Sequence, residues 1–277
     1  MNAMRDEWYP VALFSQLDRR DTMLMGEDIA VARVGADAAK VTAADGRALP
    51  VRLRYGHVWT SLGTPDHELF DIPEADDPER RLVEVGIVRV QCSPLRAVEN
   101  FLDIAHFPFV HTDILGAEPH TEVFNYKVEI REEEDEVWAT QVKFYQPQAA
   151  KSASGGIDTD YMYRVPAPTC SVLYKSCPPR PGEWDVIALF VQPLTEELCE
   201  VWPWMALFDD TSSMTDLIQF QQMIFLQDRS ILENQIPARL PLDPGKEIPT
   251  RADMTSIAYR RWLKRHNYTY GAQLVAQ

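Results

Sequence analysis

The chain has 277 residues, of which 45% are hydrophobic and 25% charged, with a formal net charge of -15. That is enough to bury a full core in one large domain or a large and a small one, and the charge excludes nucleic acid and anionic membrane surfaces as partners. No apolar signal core opens the sequence, and the longest aliphatic run, VIALFV at 186–191, is too short to span a bilayer, so a cytoplasmic protein is expected.

In chain order, the first eighty residues read as short strands: YPVALF, EDIAVARV, a polar turn AADGRALP, then VRLRYGHVWTSLG. DIPEADDPERR at 71–81 combines proline with dense charge and is the expected boundary. The stretch ENFLDIAHFPFVH follows. From residue 122 alternation dominates, with Phe124, Tyr126, Val128 and Ile130 facing Trp138, Thr140, Val142 and Phe144 across an acidic turn. Further strands are expected at 160–165, 171–176, 184–192 and 198–208, and short links between them predict an antiparallel meander. A long helix closes the series, over roughly 211–235. Its inward stripe is Met214, Leu217, Ile218, Gln221, Ile224, Phe225, Asp228, Ile231 and Leu232. WPWM at 202–205 is expected in the core, and YRRWLKRH at 259–266 as a solvated helix face with Trp262 turned inward, although its charge also suits an acidic ferredoxin.

Asp228 therefore lies on a face that should be buried, where an unpaired carboxylate needs a cation, a hydrogen-bond network or a proton. Upstream, His106 and His111 are five residues apart and converge only if helical geometry is broken between them, for which Pro108 supplies a reason. Asp103 precedes His106 by three residues on one helix face and is placed to fix the tautomer of its ring; Asn100, one turn earlier, is a weaker member of the same group or a substrate contact. Two histidines plus one carboxylate with open positions is the donor set of mononuclear non-haem Fe(II) oxygenases. Spacing alone leaves two other readings open: a packed helix and loop with hydrogen-bonded core histidines, and a buried carboxylate paired with arginine.

The four cysteines, at 92, 170, 177 and 199, form no C-x-x-C pair and read as reduced thiols. His57 and His67 read as surface or core histidines.

Nearly the whole chain resembles the catalytic α subunit of Rieske-type non-haem iron oxygenases, especially the vanillate demethylase and dicamba monooxygenase branch. NFLDIAHFPFVH at 100–111 fits that family's N-x2-D-x2-H-x4-H pattern, and DRSILENQ at 228–235 fits its D-x4-E-x-Q motif. The resemblance implies Fe(II) held by His106, His111 and Asp228, with Asp103 bridging electron transfer and Asn100 beside it. It implies an α+β fold: a helix-grip (Bet v 1/START-like) catalytic domain over 81–277, with an antiparallel sheet around a long C-terminal helix. Residues 1–80 would be a truncated all-β Rieske-like remnant. It further implies a homotrimer, a small aromatic or apolar substrate, and O2 as co-substrate. The departure is in the N-terminal part, which lacks the family's C-x-H and C-x2-H motifs; no [2Fe–2S] cluster is expected, and electrons would come from an external reductase or ferredoxin. Two other classes are carried alongside: a ligand-binding or accessory protein using the inherited pocket, and a non-redox metal-dependent hydrolase or lyase.

Overall fold

The computed structural model describes residues 3–148, 155–178, 180–243 and 245–274. Strand β1 (Tyr9–Leu13) is followed by a four-stranded meander of β2 (Arg19–Leu24), β3 (Glu27–Arg33), β4 (Ala39–Ala43) and β5 (Ala48–Leu49). The segment expected as one strand at 51–63 is instead a hairpin, β6 (Val51–Arg54) and β7 (His57–Thr60), which pairs onto β1. Tyr55 and Gly56 both adopt positive φ, 56° and 73°, the two-residue turn whose twist matches that of its strands.

Beyond the charged 71–81 segment, β8 (Arg81–Glu84) and β9 (Val88–Val90) lead into α1 (Pro94–Leu102) and the single turn α2 (Phe107–Val110). The meander follows as β10 (Lys127–Arg131), β11 (Glu136–Gln146), β12 (Ile157–Ala167), β13 (Cys170–Ser176), β14 (Trp184–Thr195) and β15 (Leu198–Leu207). These strands form one antiparallel sheet, ordered β10-β11-β12-β13-β14-β15-β8, with β9 also paired to β15. The first hairpin departs from simple alternation. Register slips between Ala139 and Val142, where Gln141 takes a φ of 60°; such a bulge exchanges the two faces of a strand. Val137, Ala139, Val142 and Phe144 are consequently buried, Trp138 and Thr140 lie on the opposite side, and Phe124 sits outside the strand and exposed.

Two helices pack on the sheet after it is complete, α3 (Met214–Leu232) and α4 (Met254–Arg265). Ser213 caps α3 by accepting from the Asp216 N–H. Its buried face is Leu217, Gln221, Ile224, Phe225, Asp228 and Leu232; Met214, the first helical residue, and Ile231 are exposed, so the stripe is narrower than periodicity suggests. Trp262 is buried on α4 as expected, with its indole N–H donating to the Asp135 carbonyl. Arg96 of α1, almost fully buried, pairs with Glu99 and Glu247, and Arg260 of α4 joins the same two carboxylates. This network ties α1 to α4. No helix among the described residues is long and apolar enough to cross a membrane.

Both faces of the sheet are covered. One meets α1, α3 and α4; the other packs an aromatic cluster, including Phe190, Trp202 and Trp204, against Trp8, Tyr55 and Trp59 of the N-terminal segment. The two tryptophans of WPWM are thus core. His57 is enclosed with them, its Nδ1 2.6 Å from the Tyr55 carbonyl and its ring edge-on to Phe190 and Trp202. Burial pushes its pKa down to about 4. A neutral imidazole in the fold and an ordinary one near 6.5 in the unfolded chain give stability that is complete above pH ~6.5 and lost as pH falls through about 4. His57→Phe is expected to remove on the order of 3 kcal/mol of that acid loss. Urea denaturation of both proteins across pH 4–7 measures it, and parallel pH profiles would refute it.

Candidate metal centre

Helix α1 ends at Leu102 because Asp103 turns extended, φ -85° and ψ 126°. The Asp103 carboxylate then holds the turn beyond: Oδ1 accepts from the Ala105 N–H, and Oδ2 lies 2.9 Å from His106 Nδ1. The expected Asp103–His106 contact is therefore made by a cap and loop, not across one continuous helix face. The expected break between the histidines is also displaced. It falls at Asp103, before His106, while Pro108 sits in the first turn of α2, where a missing N–H costs nothing. His106 and His111 are the two flanking caps of that single turn, which brings their rings to the same side.

Asp228 enters from the buried face of α3. Its Oδ1 is 3.2 Å from His106 Nε2 and 3.1 Å from His111 Nε2, and the two ring nitrogens are 3.2 Å apart. Three donors each ~2.1 Å from one ion and roughly at right angles would be separated by about 3 Å. The triangle fits that requirement. Although close to both rings, Asp228 Oδ1 is buried without a hydrogen bond of acceptable geometry, as expected of an oxygen whose partner is an ion. The local field agrees. Burial disfavours the His106 imidazolium, but Asp103 and Asp228 outweigh it and raise its pKa to about 9; burial likewise disfavours the Asp228 anion, but the imidazoles lower its pKa to about 2. The pair of carboxylates makes this a site for positive charge.

Each ring has its own support. Gln227, which precedes Asp228 on α3, accepts from His111 Nδ1 at 2.8 Å, leaving Nε2 free to coordinate. Sequence pattern did not single out Gln227. The requirement that a coordinating histidine anchor its second nitrogen could have found it, because Asp103 serves only His106. Gln227→Leu is expected to weaken metal binding by about 10–100-fold with the fold unchanged, as measured by competition against a chelator.

Above the triangle lies a narrow cavity walled by Phe107, Tyr161, Tyr163, Ile224 and Phe225, with Lys175 at one side. A second cleft, of about 530 Å³, also borders His106 and is lined by charged residues of both signs, among them Asp103, Glu99, Glu247, Arg260, Arg261 and Lys264. Asn100 borders both spaces, and its side chain makes no hydrogen bond among the described residues. The remaining candidates do not join the site. His57 is in the aromatic core, and His67 pairs at the surface with Glu7 and Asp66. All four cysteines are buried free thiols, none before Cys92.

The sequence profile of the vanillate O-demethylase oxygenase C-terminal domain matches residues 90–267. A Pseudomonas sp. (strain TJI-51) protein named probable methylxanthine N7-demethylase NdmC is 44% identical over 273 residues, covering 96% of this chain and 95% of its own length. Methylxanthine N1-demethylase NdmA of Pseudomonas putida is 26% identical over 229 residues, covering 76% of this chain and 58% of its own length. Among solved structures, NdmA of Pseudomonas putida CBB5 with caffeine superposes with a TM-score of 0.74 at 20% identity, over 95% of this chain and 90% of that one. Dicamba monooxygenase bound to 3,6-dichlorosalicylic acid gives 0.76 at 17% identity, over 95% and 97%. At those identities the superpositions establish a common fold.

Proposed function

The chain belongs to the vanillate O-demethylase oxygenase C-terminal domain family, and on that premise we propose that it binds one Fe(II) at His106, His111 and Asp228 and oxidatively demethylates a small N-methylated heteroaromatic ring of the methylxanthine kind. The observation that carries this reading is the buried triangle of donors at the floor of an aromatic-walled cavity. Iron held by two imidazoles and one carboxylate supplies O2 activation at its open positions. The rest is the work of this chain. Asp103 and Gln227 hold the two rings by Nδ1, so that both Nε2 atoms face the same point. Phe107 and Phe225 give a flat ring an apolar wall and exclude water. Loss of an N-methyl group as formaldehyde consumes one O2, two electrons and two protons, and returns an N–H and water.

Those electrons come from outside the chain, from a separate reductase or ferredoxin, because the N-terminal strands lack cluster ligands. Arg261 and Lys264 on the second cleft, which Asp103 and His106 also line, suit an acidic carrier. In this reading the 81–277 part is a helix-grip catalytic domain, 1–80 is the reduced Rieske-like part, and three copies assemble as in related oxygenases; light scattering tests the trimer. Metal analysis after anaerobic Fe(II) reconstitution, with His106→Ala as control, tests the site. O2 uptake and formaldehyde release with 7-methylxanthine and a chemical reductant then test the activity. Bound metal without O2 uptake would favour Lewis-acid chemistry, and no specific metal would favour a ligand carrier.

A further inference from the structure

The cavity wall formed by the sheet is not apolar throughout. Strand β12 contributes Tyr161 and Tyr163, and β13 contributes Lys175, which is paired in register with Tyr161 and so shares its face. Lys175 is only 8% exposed, yet it makes no hydrogen bond and no ion pair among the described residues. Asp185, opposite it on β14, accepts from the Phe208 N–H and lies beyond ion-pair distance. The Tyr163 hydroxyl and the Gln146 side-chain oxygen, also lining this cavity, are buried without a partner.

An unpaired buried amide or hydroxyl costs about 1–3 kcal/mol, and a buried ammonium more. The Tyr163 hydroxyl and the Gln146 oxygen leave an unmet hydrogen-bonding requirement among the residues lining this cavity, and the unpaired, nearly buried Lys175 adds a charge to it. The chemistry of that requirement is specific. Lysine offers three donors and no acceptor, tyrosine adds a donor, and the free amide oxygen of Gln146 is an acceptor. A hydrocarbon ring satisfies none of them. A carboxylate satisfies the donors but offers the Gln146 oxygen no N–H, so it fits only if that amide turns over. A ring carrying both carbonyl oxygens and an N–H satisfies all of them.

We infer that Lys175 is a specificity-determining residue that binds a ring carbonyl of the substrate, with Tyr163 and Gln146 completing recognition of an oxo-heterocycle bearing a free N–H. The inference rests on the demethylase reading and adds to it the part of the ring that is recognised. Burial draws the Lys175 ammonium down to about 8, and a carbonyl acceptor at this position would favour its charged form.

The test compares two probes that share the bicyclic ring and its N-methyl group, 7-methylxanthine and 7-methylpurine, which lacks both oxo groups and both six-ring N–H groups, by calorimetric binding to the Fe(II)-loaded, anaerobic protein. The wild type is expected to prefer 7-methylxanthine by about tenfold or more, and Lys175→Met to lose most of that preference. Lys175→Met should also melt no lower than the wild type, since it removes a buried unpaired charge; a markedly lower melting temperature would assign Lys175 a structural role and overturn the inference. Retention of the full preference in the variant, or equal binding of both probes by the wild type, overturns it while leaving the iron site standing. Failure of the wild type to bind either probe overturns it together with the methylxanthine reading.

Discussion

Asp228→Ala protein is expected to leave anaerobic Fe(II) reconstitution with essentially no iron, against about one ion per wild-type chain, while its circular dichroism spectrum stays unchanged. The metal loss follows from geometry. Asp228 supplies the single anionic donor, and without it only the two neutral imidazole Nε2 atoms remain. The fall in affinity should exceed the ~10–100-fold expected when a ligand loses only its supporting hydrogen bond, as in Gln227→Leu. Survival of the fold follows from position. The carboxylate is one polar group on a helix anchored by Leu217, Ile224, Phe225 and Leu232, and its removal also relieves the desolvation of a buried charge. If the variant unfolds, and the wild type never takes up metal, Asp228 is a structural partner of the two histidines.

Gly116→Ala is expected to cost about 1–3 kcal/mol of stability and to lower metal affinity by tenfold or more, although residue 116 touches no ligand side chain. A methyl group built there would lie 2.6 Å from the Pro108 nitrogen, 2.9 Å from its Cα and 3.0 Å from the Phe107 carbonyl carbon. These are backbone atoms of α2, with no rotamer into which to retreat. Relief therefore requires α2 to shift, and α2 is the turn that carries His106 at one end and His111 at the other. The loop is pinned from its own side by the Asp113 N–H donating to the Gly116 carbonyl. Chelator competition and thermal melts on the reconstituted variant measure both effects; an unchanged affinity would mean that the loop yields in place of the turn.

Much of this was legible before any coordinates. Asp228 on an apolar stripe, and two histidines around a proline, raised a metal site as one reading among three; the family resemblance was needed to imply these donors, whose nearest atoms lie within 3.2 Å of one another. The meander was equally plain, because strands separated by short links have few other options. What escaped notice depends on backbone details that residue types encode weakly. The bulge at Gln141 reverses which side of β11 is inward, and periodicity cannot register one extra residue. The break at Asp103 is set by a side chain capping its own backbone, so the more conspicuous Pro108 drew the assignment. Gln227 and Gly116 act through neighbours that only tertiary contact supplies. Lys175 lies in a strand of otherwise ordinary composition, and its isolation is visible only when the surrounding carboxylates have positions.

The donors come from opposite ends of the meander: α2 precedes β10, and α3 follows β15. A bound ion is thus a clasp on a loop that contains most of the sheet. In the unfolded chain the same donors are dispersed, so metal affinity belongs to the native state and adds to its stability as RT ln(1 + [M]/Kd), roughly 2.7 kcal/mol at a hundredfold excess over Kd. The melting temperature is therefore a property of the chain together with the free metal concentration. If the ion is the proposed iron, its scarcity would loosen the sheet as well as empty the site.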